Sequence, residues 1–385
     1  MKNIESFLSA FVRGENPPWP VASNEFVPDF LGRSAYHGIQ ALVHDQLSRQ
    51  PDSVQSWPTI VLEVCRSAAT GQAMWELRHF ELLNRILAQL AQAGVQPVLF
   101  KGTALAYSLY PEGVLRTRGD TDFIIPPESR SVVHKALQGI NFELGSGVSG
   151  DHISYQSSYT WAQVAGGHHT LDVHWRINNS ELLSRLFTYE ELLAHARPLP
   201  NLGPHALAAG PVHALLLACM HRATHKQNPY YVDGVAYYSG DRLIWLYDIH
   251  LLLGVLTPTE IDDFVRLARA KGLRAVCLEG IERAQACFHT VVPLGLLTEL
   301  AAPGPVEPTA RYLSGGPWLQ KWMDFQALGS ARNRIRYAGE LLFPPAGYMR
   351  QKYPNAGPGG LGWLYLRRAA GGLTKNLRSR EDVHH

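Results

Sequence analysis

Cysteine is scarce: Cys65, Cys219, Cys277 and Cys287 are spread through 385 residues, with no C-x-x-C pair among them. That spacing argues against a zinc ribbon and fits buried thiols in a reducing, cytoplasmic compartment. No run of eighteen apolar residues occurs, so no segment is expected to cross a bilayer as a helix. The first residues carry acidic Glu5 ahead of a short apolar run and lack a small-residue cleavage site, unlike a signal peptide. An excess of one charge is missing too: Lys plus Arg number 35 and Asp plus Glu 33, a formal net charge of +2. Bulk charge therefore argues neither for nor against nucleic acid, and no nucleic-acid partner is expected. There is no internal repeat and no low-complexity tract.

What is present changes character along the chain. Residues 1–92 read as an N-terminal helical region, with helical apolar spacing in ESFLSAFV, in HGIQALVHDQL and most clearly from Met74 to Ala93. Pro-rich breaks at Asn16 to Pro20 and near Pro51 and Pro58 separate these helices. His37 and His44 lie two turns apart in the second helix, too far to share a metal ion. Residues 93–202 switch to short strands alternating with helices, an α/β core with a mixed or antiparallel sheet. Strands are expected over Pro97 to Phe100, at Asp120 to Asp122, over Asn141 to Leu144, within 151–164 and over His169 to Ile177. A turn at Lys101-Gly102-Thr103 opens a short helix to Tyr110, Glu128 to Gln138 forms another, and Gly166-Gly167 makes a second turn.

Residues 203–330 read as a C-terminal helical domain, with helices over Pro211 to Lys226, Asp241 to Leu256, Pro258 to Lys271 and Arg274 to Phe288. Thr257-Pro258-Thr259-Glu260 carries the start signals of the third. The connector QNPYYVDGVAYYSG is unusually aromatic, either a flap over a site or a packed loop. Residues 331–385 form a basic tail, with ten Lys and Arg against three acids and with Trp363 and Tyr365 interleaved. It reads as a solvated helix face packed on the body, or as a membrane-surface or nucleic-acid face.

Chemistry concentrates between Pro97 and Pro126, PVLFKGTALAYSLYPEGVLRTRGDTDFIIP. Asp120 and Asp122, two apart on a strand, point to the same face. A glycine turn opening a helix offers N–H groups and a positive dipole end to a phosphate. Asp172, on a later strand of the same core, is a third candidate ligand, sharing a face with His174 while Leu171, Val173 and Trp175 share the other. Three carboxylates from two adjacent strands suit two Mg²⁺ ions about 4 Å apart, with Mn²⁺ a substitute. His174 is either a base or a packing histidine, and His168, His169 and His174 match no zinc pattern. His221 and His225, four apart on a helix, either reach a nucleotide or its acceptor or serve the fold. Arg242 and Asp248, six apart, are not neighbours on a helical face and receive no site role.

The order of strand, Gly–hydroxyl residue and helix, then Asp-x-Asp, then a third Asp resembles the DNA polymerase β-like nucleotidyltransferase superfamily. More closely, the chain resembles an uncharacterised bacterial nucleotidyltransferase family marked by K-G-x-A-L-A, L-Y-P and R-x-x-x-D-x-D. Those residues stand here as Lys101 to Ala106, Leu109 to Pro111, and Arg116 through Asp120 and Asp122. The family's L-D-[LV]-H-W-R block is similar to Leu171 to Arg176, its L-I-W-L-x-D-I segment to Leu243 to Ile249, and its C-terminal L-F-P-P…Y-M-R-x-K-Y stretch to Leu342 to Tyr353.

The resemblance implies an α+β fold, a polymerase β-like core with a mixed sheet flanked by helical regions. It implies a Mg²⁺-dependent enzyme moving a nucleoside monophosphate from an NTP such as ATP to a hydroxyl or phosphate of a peptide, sugar or small-molecule acceptor. Gly102 and Thr103 would cradle the phosphates, and Lys101 and Arg116, with Arg118, would neutralise them. Asp120, Asp122 and Asp172 would hold metal, with Asp172 aiding removal of the acceptor proton, and His174 and His225 would be accessory. The family's setting implies a tailoring enzyme for a ribosomally made natural product such as a lasso peptide, or for a polysaccharide. Two alternatives stay open: a nucleotide-sugar-dependent transferase acting on a phosphorylated peptide, and a non-catalytic nucleotide-binding or antitoxin-like module.

Overall fold

The structure, a computed structural model, describes residues 4–20, 26–50, 57–145, 151–163, 167–226, 230–232, 235–237, 240–353 and 360–368. Three short helices, α1 (Ile4–Val12), α2 (Phe26–His37) and α3 (Gln40–Arg49), precede the 34-residue α4 (Thr59–Gln92), which begins directly after Pro58. HGIQALVHDQL is not one helix as its spacing suggests. Gly38, at φ +67°, ends α2, and a Cβ there would stand 2.6 Å from Arg242 Nη2. His37 is a buried core histidine: its Nδ1 accepts the Leu243 N–H at 3.2 Å, its Nε2 stands 4.0 Å from Glu5 Oε1, and burial pushes the imidazole down to about 3.

The sheet has seven strands: β1 (Val98–Phe100), β2 (Asp120–Ile124), β3 (Glu143–Leu144), β4 (Gln156–Gln163), β5 (Gly167–His174), β6 (Arg197–Pro198) and β7 (Leu207–Ala208). Their spatial order is β3-β4-β5-β2-β1-β7-β6. β2–β5 and β1–β7 run parallel and the other pairs antiparallel, so the sheet is mixed. The strand expected to reach Ile177 ends at His174, and residues 164–166, at the expected glycine turn, lie outside the described residues. α5 (Lys101–Ser108) follows β1 and α6 (Arg130–Gln138) follows β2, while α7 (Glu181–Ser184) and α8 (Tyr189–Ala194) follow β5.

Strand alternation divides the core. Leu99, Phe123, Leu171 and Val173 face α4 and α6 in one apolar cluster. Val98, Phe100 and Ile124 face the other way, into a cluster built on α9 (Pro211–His225), α10 (Leu243–Val255), α11 (Pro258–Ala270) and α12 (Arg274–Phe288). α11 opens with the capping box that its sequence announces, Thr257 with Glu260. A third cluster joins α1 to α3 with the first turns of α10. The chain continues through α13 (Leu296–Ala301), α14 (Pro308–Ser314), α15 (Pro317–Ala327), α16 (Ala331–Leu342), α17 (Ala346–Lys352) and a helix over 361–368. The aromatic connector contains two short antiparallel strands, β8 (Tyr230–Val232) and β9 (Val235–Tyr237). The choice between flap and packed loop falls largely outside the described residues. Among the described residues, no helix is long and apolar enough to cross a membrane.

Candidate active site

The parallel pairing of β2 with β5 sets Asp122 beside Asp172 and Ile124 beside His174. Even-numbered residues of both strands therefore share the face opposite α4. On it Asp122, Asp172 and His174 bring one potential ligand atom each to within 4.8 Å of one another, the one such group of three among the described residues. Asp120 is open to the same cleft but stands outside that group. Lys101 begins α5 with φ +59°, a costly backbone for a residue with a Cβ. The sharp reversal delivers its Nζ to Asp122 Oδ1 at 2.6 Å.

The three aspartates are not equivalent. Asp122 Oδ1 accepts from both Lys101 and His174 Nε2, the latter at 2.9 Å. Burial alone would raise the Asp122 carboxyl, but Lys101 and His174 hold it well below the usual range. Asp172 is oriented from β4, where Ser158 donates to one oxygen and Gln156 Nε2 to the other at 3.0 Å. Asp120 accepts no such donor. Desolvation by the surrounding protein, then the carboxylates of Asp122 and Asp172, push it up to about 7. Its own surface is nevertheless open to the cleft, so this is a confined rather than a sealed carboxyl. Two carboxylates and an imidazole nitrogen converging within 4.8 Å form a ligand set for a divalent cation, and Lys101 and His174 are the groups that such an ion would displace from Asp122 Oδ1.

A stability consequence follows from Asp120. Its carboxyl, raised to about 7 in the folded state, lies above the ordinary carboxylate range of about 4, so proton uptake favours the folded state. That contribution is fully present below about 4 and is lost as pH rises through 7. Metal-free protein is expected to melt at a lower temperature at pH 8 than at pH 5, and Asp120→Asn should narrow the difference. Melting curves of both proteins in chelator test this; an unchanged difference in the variant would remove Asp120 as its source.

The other sequence-predicted residues divide by what holds them. A Cβ placed on Gly102 would stand 3.5–3.8 Å from Arg118 and Arg116, so packing does not demand a glycine; its smallness leaves cleft space at the start of α5. The Thr103 hydroxyl points inward, 2.7 Å from Thr121 Oγ1, and accepts from Arg118 Nε at 2.9 Å. That leaves the backbone N–H groups of the turn, not this hydroxyl, to meet a phosphate. Arg118 is spent on the scaffold: besides Thr103 it donates to Gly113 and Arg116 carbonyls and, at 2.6 Å, to Glu76 Oε1 on α4. Arg116 also lines the cleft, but its fork grips Asp248 of α10, Nη2 to Oδ2 at 2.8 Å and Nε to Oδ1 at 3.1 Å.

Sequence reasoning missed several of these partners. Tyr110 donates to Asp248 at 2.7 Å, completing a buried knot between the loop before β2 and α10. Glu76 and His79, on α4, brace the strand from behind: His79 Nε2 meets Thr121 Oγ1 at 2.6 Å and its Nδ1 meets His169 at 3.3 Å. The signal for Asp248 was available as one carboxylate in the apolar run LIWLYDIHLLL, because a buried acid needs a partner. The far wall of the cleft is helical. His221 and His225 on α9 lie with their rings tilted at 45° and centroids 4.5 Å apart, beside Trp245 of α10. Burial keeps both imidazoles neutral, His225 at about 4 and His221 well below its usual value. The cleft between these walls encloses about 840 Å³, within the range of pockets that take small ligands.

A family model described as "uncharacterised nucleotidyltransferase" matches residues 26–289, from α2 to the end of α12. The chain belongs to that family. The nucleotidyltransferase is also similar to a solved structure, that of an antigenic nucleotidyltransferase-like protein from Paracoccidioides brasiliensis, at 14% identity and a TM-score of 0.37. That likeness covers 57% of this chain and 96% of the other. No curated protein gives a significant match.

Proposed function

We propose that the nucleotidyltransferase transfers a nucleoside monophosphate from a nucleoside triphosphate to an acceptor hydroxyl or phosphate, using a divalent ion, Mg²⁺ in the first instance. The observation that carries the reading is the Asp122–Asp172–His174 group facing Lys101 and the start of α5 across one cleft. Bound there, a divalent ion supplies positive charge that offsets the charge developing on the transferred phosphoryl group. Asp122 and Asp172 hold it, with His174 Nε2 able to exchange its hydrogen bond to Asp122 for a ligand role. Lys101 Nζ and the first N–H groups of α5 meet the donor's phosphates, and Arg116 adds charge from the knot with Asp248. Asp172 is fixed by Ser158 and Gln156 and turns its remaining lone pairs to the ion, whereas Asp120 is open to the cleft. Asp120 therefore suits removal of the acceptor proton as the acceptor oxygen attacks the α-phosphorus and pyrophosphate leaves. The acceptor class that accords with the family resemblance is a peptide natural product of the lasso type or a polysaccharide.

The test is pyrophosphate release from each NTP with Mg²⁺, with candidate acceptors added in turn. Release is expected to need metal, to stop in chelator, and to disappear in Asp122→Ala. Equal release by wild type and Asp122→Ala would sink the assignment, and thermal stabilisation by UDP- or GDP-sugars but by no NTP would transfer it to a sugar nucleotide donor.

A further inference from the structure

We propose that the C-terminal helical layer is a docking face for an anionic lipid membrane. Three helices build it. α15 presents Trp318 and Trp322, one turn apart, on the side opposite buried Asp324. α16 presents Ile335 and Leu342, two turns apart, on the side opposite buried Tyr337. The helix over 361–368 presents Trp363 and Leu366, with Leu364 turned inward. All six, and Phe343 after α16, are more than half exposed.

Side-chain contacts through α16 link the three helices. Arg334 of α16 lies over the Phe325 ring of α15 at 5.6 Å and donates to the Leu328 carbonyl. Arg368 Nη1 donates to the Leu341 carbonyl at 2.6 Å, and Tyr365 to Pro344 at 2.7 Å. Each helix turns its buried residues toward the body, so the exposed apolar stripes face away from it.

Charge selects the occupant. Within 331–353 and 360–368 there are seven Lys and Arg against one acid, Glu340, which is engaged by the N–H groups of Asp151 and His152. Residues 331–385 hold ten bases and three acids, which leaves the other 330 residues with five more acids than bases. The near-neutral whole thus hides a molecule with one cationic end. A phosphate-rich surface attracts that end, and the tryptophans suit the headgroup level, where an amphipathic ring is most at ease. Nucleic acid would satisfy the arginines but offers nothing to Ile335, Leu342 and Leu366, whereas acyl chains do. A second copy presenting the same face would be repelled by it.

The experiment is sedimentation of the full chain with vesicles of phosphatidylcholine alone and of phosphatidylcholine mixed with phosphatidylglycerol. Binding is expected only to the mixed vesicles, with a blue shift of tryptophan emission and a loss of affinity as salt rises. Arg332→Glu and Arg367→Glu should each weaken it by about five-fold or more. Trp318→Ser with Trp322→Ser should remove the binding while leaving the melting temperature and pyrophosphate release unchanged, because both side chains are exposed and neither lines the nucleotide cleft. Equal binding to both vesicle types, or to neither, overturns the proposal. So does a dimer in solution that the tryptophan substitutions dissociate, or preferential capture of the face by added RNA.

Discussion

Asp122→Asn is expected to keep the fold and lose nucleotidyl transfer. The amide fills the same volume and can still accept from His174, so β2 and β5 keep their register. What disappears is the one carboxylate shared by Lys101, His174 and the proposed ion. Charge stabilisation by a metal is worth several kcal/mol in the transition state, which at about 1.4 kcal/mol per decade amounts to a loss on the order of 10³-fold. Single-turnover transfer measures the loss, and Mn²⁺ binding followed by electron paramagnetic resonance separates failure to hold metal from failure of chemistry. Turnover within a few-fold of wild type would show that Asp122 is a strand residue with a lysine partner and nothing more.

Asp248→Ala carries the largest expected cost to stability. It leaves the buried Arg116 guanidinium without its counter-charge and Tyr110 without its acceptor. Breaking a buried pair from one side costs about 3–5 kcal/mol, because a desolvated charge remains. Replacing both partners with apolar residues of similar size, Arg116→Met with Asp248→Leu, should recover most of that loss. Urea unfolding of Arg116→Met, Asp248→Leu and the double variant measures the coupling. Equal destabilisation of single and double variants would mean that the pair adds nothing beyond packing. The double variant should still be impaired in transfer, since the cleft loses Arg116.

The parts of the fold written in local periodicity were legible. α9, α11 and α12 repeat apolar residues at helical spacing, and the capping box of α11 stands in plain order as Thr257 to Glu260. β2 and β5 alternate, so the shared face of Asp172 and His174 could be read directly. β6 and β7 escaped notice because two residues cannot show a period. The direction of the Thr103 hydroxyl was equally hidden, since it is set by Thr121 and Arg118, neither adjacent to it in sequence. Glu76 and His79 look like ordinary polar positions on a long amphipathic helix; only the folded chain brings them behind β2. Asp120, Asp122 and Asp172 were visible as residues, but their division into one open carboxyl with raised proton affinity and two that are held by partners required the packing.

The knot of Tyr110, Arg116 and Asp248 also bears on inheritance. Its members sit in three stretches of sequence that look independent, two before the Asp-x-Asp strand and one on a helix about 130 residues later. Drift at any one of them alone would strand a buried charge or hydroxyl, so selection meets them as a single character. In descendants of this chain the arginine and the aspartate should be kept together or exchanged together, and a lineage that reshapes the cleft's acceptor wall must first find a way to change α10 without loosening that grip.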